Sequence, residues 1–137
     1  MKILLVEDSK FLRLATGRAL TRAGYEMSFA GDGDEALLMA AEKLPDLILL
    51  DMMLPKMSGP DVLKALKKEP ATAAIPVVVL TGLSQTNAER LRGDGAFGFL
   101  TKTALALDQG AEPLLAALRK VFTDLPGASK AQPVCGG

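Results

Sequence analysis

The stretch Leu47 to Pro60, LILLDMMLPKMSGP, decides the fold. Four large apolar residues in a row, Leu47 to Leu50, are too few for an ordinary helix and show no alternation, so they predict a strand buried on both faces. Asp51 ends that strand. Pro55 and the Ser58-Gly59-Pro60 cluster then break the pattern, and Val62, Leu63 and Leu66 repeat at helical spacing beyond them, with Ser58 placed to cap the helix. Asp51 therefore sits where strand becomes loop, the edge at which open parallel sheets bind ligands. A single carboxylate there is a weak clue, because an Asp often ends a strand simply by bonding loop amides. It gains weight only if other reactive groups reach the same edge.

Working outward, the same punctuation recurs. Upstream, Ile3 to Val6 is an apolar run ended by Glu7-Asp8-Ser9, and residues 10 to 23 carry Leu12, Ala15, Ala19 and Leu20 on one helical face before Gly24. Gly17 inside that helix costs about 1 kcal/mol against Ala, so packing must hold it. Tyr25 to Ala30 reads as a second strand, Gly31-Asp32-Gly33-Asp34 as a helix start, and Ala36, Leu37, Ala40 and Ala41 as a small apolar face ended by Pro45. Downstream, Pro70 closes the third helix, Ile75 to Leu80 is a buried strand ending at Thr81-Gly82, and Ser84 to Arg92 is a short helix with only Ala88 and Leu91 on its apolar stripe. Phe97 to Leu100 is a fifth strand ending at Thr101-Lys102. Glu112-Pro113 opens a last helix bearing Leu114, Leu118, Val121 and Phe122. Five strands alternating with five helices predict an α/β fold, a doubly wound five-stranded parallel sheet of order 2-1-3-4-5. One domain spans residues 1–124, and the Pro/Gly-rich segment 125–137 reads as a flexible tail or linker.

Composition narrows the chemistry. Sixteen basic and sixteen acidic residues cancel across 137 positions, which argues against a nucleic-acid surface or an anionic-membrane anchor. Cys135 is the only cysteine, and no run of eighteen apolar residues or secretion signal occurs, so a soluble, cytoplasmic protein is expected. There is no histidine. That removes His-based acid–base catalysis and His-metal sites, and a lone tail cysteine removes thiolate zinc sites. Carboxylate, hydroxyl, amine and backbone remain.

Parallel strands bring their carboxyl ends to one edge, and polar groups follow four of them: Glu7 and Asp8, Asp51, Thr81 and Lys102. Each alone has an ordinary structural explanation; five at one edge do not. Clustered carboxylates repel until a proton or cation offsets them. Oxygen-only donors that leave room for water and phosphate suit Mg²⁺, with Mn²⁺ as a substitute, better than a full calcium cage. A cation beside a carboxylate, facing an amine and a hydroxyl, is a site for a phosphoryl group. Mg²⁺ and Lys102 neutralise its oxygens, Thr81 donates a hydrogen bond, and Asp51 attacks phosphorus. A carboxylate is already ionised at pH 7 and needs no base. If the donor is a phosphohistidine, it must belong to another protein.

Glu7-Asp8, Asp51 within DMMLPKMSG, Thr81-Gly82 and Lys102 together resemble the receiver domain of two-component response regulators, from residue 1 to about 124. The resemblance implies that Asp51 accepts phosphate from a histidine kinase or histidine phosphotransfer protein. It also implies that Asp8, Asp51 and the backbone carbonyl of Met53 bind Mg²⁺, with Glu7 assisting through water. Thr81 and Phe99 would form the family's switch pair, acting on a partner-binding face made by the fourth helix, fifth strand and last helix. Such a chain is a signalling switch and not an enzyme in the usual sense; its output passes to an effector protein or a further domain, and a homodimer is compatible with it.

Three departures stand out. Thr103 follows Lys102 where the family usually has proline, often after a cis bond, and a non-proline cis bond costs roughly 2.5 to 4 kcal/mol. Phe99 stands where tyrosine is common, so an inward swing gains packing without a hydroxyl hydrogen bond. The segment from Thr103 to Ala111 is longer than the family's usual spacing. Met53 and Leu83, each two residues past a site residue, are expected to hinder the water that hydrolyses an aspartyl phosphate. The competing reading is a phosphorylation-independent interaction module. A dehalogenase-type phosphatase would want an acid where Met53 stands, and a flavodoxin-like flavin binder would want a first loop less acidic than Glu7-Asp8-Ser9.

Overall fold

The computed structural model describes residues 2–51, 57–81, 95, 97–101 and 112–124. These form β1 (Lys2–Val6), α1 (Lys10–Arg22), β2 (Glu26–Ala30), α2 (Gly33–Lys43), β3 (Leu47–Asp51), α3 (Gly59–Lys68), β4 (Val77–Thr81), β5 (Gly98–Thr101) and α4 (Glu112–Asp124). All strand pairs are parallel, and the sheet runs β2-β1-β3-β4-β5. Four helices lie among the described residues, where the sequence pattern calls for five. The short helix expected over Ser84 to Arg92, and the segment Thr103 to Ala111, lie outside the described residues.

The unbroken apolar runs exist because the sheet is covered on both faces. Along each strand, alternate residues feed opposite cores. Leu4, Val6, Ile48, Leu50, Val77 and Val79 pack with Ala36 and Ala40 of α2 and Val62, Leu63 and Leu66 of α3. Ile3, Leu5, Leu47, Leu49, Val78 and Leu80 pack on the other side with Leu20 of α1 and Leu118 of α4. All five residues of β3 are buried. β3 is the central strand, so it gains packing from both layers, and each fully buried leucine there contributes about 1.5–3 kcal/mol through removal from water.

Caps set the helix starts. Ser9, Asp32 and Ser58 are N-caps whose side-chain oxygens accept from the amides of Leu12, Glu35 and Asp61 at 3.3, 2.8 and 3.3 Å. Glu35 also accepts from the Gly31 amide at 2.7 Å, so the β2–α2 loop is tied from both sides. At the third helix Pro60 occupies the first turn and Lys68 ends the helix two residues before Pro70. Lys67 ties the next turn to α3: its ammonium donates to the carbonyls of Ala73 at 3.1 Å and Ile75 at 2.8 Å, and burial lowers its pKa.

Several boundaries and faces differ from the sequence expectation. Strands expected to start at Tyr25, Ile75 and Phe97 start at Glu26, Val77 and Gly98. The Tyr25 amide is used by Leu20 in the turn after α1, the Ile75 amide by Thr72, and Pro76 has no amide hydrogen to give a ladder. In α1 the fully buried residues are Thr16, Gly17 and Leu20; Leu12, Ala15 and Ala19 are only half-buried. Gly17 is buried because a Cβ there would meet Cζ of Phe29 at 2.6 Å, so only glycine lets the β2 ring lie on the helix. In α2, Ala41 is exposed while Ala36 and Ala40 face the core.

Helix α2 ends in an unusual way. Leu44 takes the left-handed conformation (φ 46°) and is 54% exposed. That conformation costs roughly 1–2 kcal/mol for a residue with a Cβ, and little burial is gained in return. Leu44→Asn, which tolerates the left-handed region, is expected to raise stability by about 0.5–1 kcal/mol. A urea midpoint that falls instead would show that the leucine side chain makes a stabilising contact.

Candidate functional site

Parallel register builds the site. Val6 pairs with Leu50, so Glu7 follows β1 at the level where Asp51 ends β3, and Asp51 in turn pairs with Leu80, one residue before Thr81. Thr81 pairs with Thr101, the residue before Lys102. The sheet's carboxyl edge thus collects the strand ends that the sequence marks as polar.

Glu7, Asp8 and Asp51 each offer a carboxylate oxygen, and these oxygens all lie within 4.8 Å of one another. Glu7 and Asp51 are each only 1% exposed, whereas Asp8 is exposed. At such a separation the Glu7 and Asp51 charges repel by about 3 kcal/mol at an effective dielectric near 20. A divalent cation held between these oxygens would offset that repulsion. Donor chemistry fits a hard cation: all oxygen, with no sulfur or imidazole. The buried pair supplies charge, and the exposed Asp8 opens the site toward solvent.

The acidic loop is held in place by its backbone. The Glu7 amide donates to the Ala30 carbonyl at 3.0 Å, which continues the β1–β2 pairing past the strand. The Ser9 amide donates to the Glu7 carboxylate at 3.1 Å, and the Arg13 guanidinium donates to the Glu7 carbonyl at 2.8 Å. Arg13 Nη1 also lies 3.0 Å from where a Cβ would sit on Gly31, so a glycine in the β2–α2 loop gives the guanidinium its room. Arg13 was missed by sequence reasoning. Its only signal is a basic residue in the first turn of a helix that follows an acidic pair, a pattern too common to single it out.

Of the residues expected at the site, the fold brings Glu7, Asp8 and Asp51 together. It places Thr81 by its backbone at the end of β4 and Phe99 in β5 opposite Val79. Lys102, Met53 and Leu83 lie outside the described residues, as does the bond between Lys102 and Thr103.

A parallel sheet in this order, with an acidic trio at its carboxyl edge, defines a receiver architecture. Comparison with known proteins agrees. Residues 3–110 match the family described as the response regulator receiver domain. The chain is 47% identical over 104 residues to the response regulator PleD of Caulobacter vibrioides, covering 74% of this chain and 22% of that protein. It is 36% identical over 134 residues to the DNA-binding dual master transcriptional regulator RpaA of Synechocystis, covering 94% of this chain and 53% of that one. Among solved structures, the chemotaxis response regulator CheY4 of Vibrio cholerae superposes with a TM-score of 0.77 at 32% identity, covering 88% of this chain and 97% of that one. The chain belongs to the receiver domains of two-component response regulators. It spans about a fifth of PleD and about half of RpaA. No helix among the described residues is long and apolar enough to cross a membrane.

Proposed function

We propose that this receiver domain is a phosphoacceptor switch in which Asp51 takes a phosphoryl group from a phosphohistidine in a Mg²⁺-dependent reaction. The observation that carries the reading is the carboxylate trio, two of its members buried and all within 4.8 Å. A cation held by the trio would offset the repulsion among its carboxylates and would lie beside the nucleophile. One Asp51 oxygen attacks phosphorus, the bond from phosphorus to the donor imidazole breaks, and the donor leaves as neutral histidine once protonated. Asp8, Asp51 and the Met53 carbonyl would hold Mg²⁺ or Mn²⁺, with Glu7 acting through water. Lys102 and the Thr81 hydroxyl would take the phosphoryl oxygens.

With no histidine in this sequence, the donor histidine lies outside it, on a kinase or phosphotransfer protein. Thr81 and Phe99 would relay the change to β5 and α4, the described part of the partner-binding face expected from the resemblance, which an effector or a further domain would read. The domain spans residues 1–124, segment 125–137 is its tail or linker, the setting is the cytoplasm, and the chain itself contacts neither nucleic acid nor membrane. Met53 and Leu83 would shield the acyl phosphate from water. Met53→Asn and Leu83→Glu are therefore expected to shorten its half-life several-fold; unchanged decay in both ends that part of the reading.

The deciding experiment is incubation with a small phosphodonor and Mg²⁺ followed by intact mass. A gain of one phosphate that requires the metal supports the switch. No gain with any donor selects the alternative, a phosphorylation-independent interaction module, for which the departures at Thr103 and Phe99 speak.

A further inference from the structure

A second site lies away from the acidic edge. Between α1 and the edge strand β2 a groove of about 400 Å³ opens, lined by Leu14, Gly17, Arg18, Thr21, Arg22 and Phe29, with Arg13 at one end. No acidic residue is among the described residues that line it. The floor is apolar because Gly17 has no side chain and the Phe29 ring lies directly against it. Leu14 is 61% and Phe29 37% exposed, apolar surface that a ligand could remove from water.

The charge around it is one-sided. Helix α1, KFLRLATGRALTR, carries four basic residues and no acid, although the chain as a whole has no net charge. Arg18 and Arg22 are exposed and four residues apart, so they share a face, and like charges at that spacing repel with no acid between them to offset it. An anion bridging the two guanidiniums relieves that repulsion and gains charge-assisted, bidentate hydrogen bonds, with the Thr21 hydroxyl alongside. A flat ring attached to that anion would cover the Phe29 ring and Leu14. The volume falls in the range of small-ligand pockets, and the apolar area is confined to a few side chains, far below what a stable protein interface buries.

We infer that the α1–β2 groove binds a nucleoside phosphate, its base stacked on Phe29 over Gly17 and its phosphate held by Arg18 and Arg22. The site is separate from the carboxylate trio. Arg13 joins the two, since it lines the groove and donates to the Glu7 carbonyl.

The test is an NMR titration of the full chain with AMP and GMP, in EDTA so that no divalent ion can carry phosphate to the acidic cluster. Adenosine, inorganic phosphate and an acidic peptide serve as separate probes. The expected result is saturable shifts at Gly17, Thr21 and Phe29 with at least one nucleotide, at a Kd of about 1 mM or below, and roughly tenfold weaker binding of adenosine and of phosphate alone. Arg18→Ala with Arg22→Ala, both surface changes, is expected to raise the nucleotide Kd about tenfold or more while small-donor phosphorylation stays unchanged. Absence of shifts with both nucleotides, shifts that survive the double variant, or saturation by the acidic peptide alone would each overturn the assignment.

Discussion

Asp51→Asn is expected to abolish phosphate uptake from any donor and, in the absence of metal, to make the protein more stable. The first effect follows because an amide oxygen is a poor nucleophile and cannot form the acyl phosphate. The second follows from the geometry: removing one of two buried like charges within 4.8 Å relieves repulsion of about 3 kcal/mol, less whatever hydrogen bonding the carboxylate provides. A net gain of about 1–2 kcal/mol in urea unfolding is the expected outcome. Mg²⁺ is expected to reverse the order. A cation at a hundred times its Kd stabilises the native state by about 2.7 kcal/mol in the parent chain, and the variant should lose most of that gain. A metal-free variant less stable than the parent would mean that the Asp51 carboxylate serves the fold as a hydrogen-bond acceptor more than it strains it.

Leu49→Ala is the substitution expected to cost most stability. Leu49 is 0% exposed on the central strand, pairs between Leu5 and Val78, and faces the core shared with Leu20 and Leu118. Parallel pairing on both sides prevents the strand from moving to fill the space, so the transfer term and the cavity term add to about 3–4 kcal/mol. That is a large part of the roughly 5–15 kcal/mol that a domain of this size possesses. Leu38→Ala is the internal control: Leu38 is 58% exposed, and its loss is expected to change stability by no more than about 0.5 kcal/mol. Equal effects from the two substitutions would show that the β3 core is loosely packed.

Much of the fold was legible because its determinants are local. Runs such as Ile3 to Val6 and Leu47 to Leu50 declare burial on both faces within a few residues, and Ser58 with Pro60 declares a helix start within one turn. Once the strands are known to be parallel, their carboxyl ends share an edge, which is why Glu7, Asp8 and Asp51 could be assembled without coordinates. Arg18 and Arg22 were equally visible as letters, but nothing local says that a groove lies beside them.

The amino-acid sequence by itself determined the order of elements, the two-faced sheet and the acidic trio, since periodicity, capping and strand polarity act over short spans. Tertiary structure alone decided that Thr16 and Gly17, rather than Leu12 and Ala15, turn fully inward, that Phe29 rests on Gly17, and that Arg13 reaches the Glu7 carbonyl. Each of these depends on contact between side chains or backbone from different elements. Such contacts are settled by which shapes fit when the layers close, and that information is not carried by any one segment.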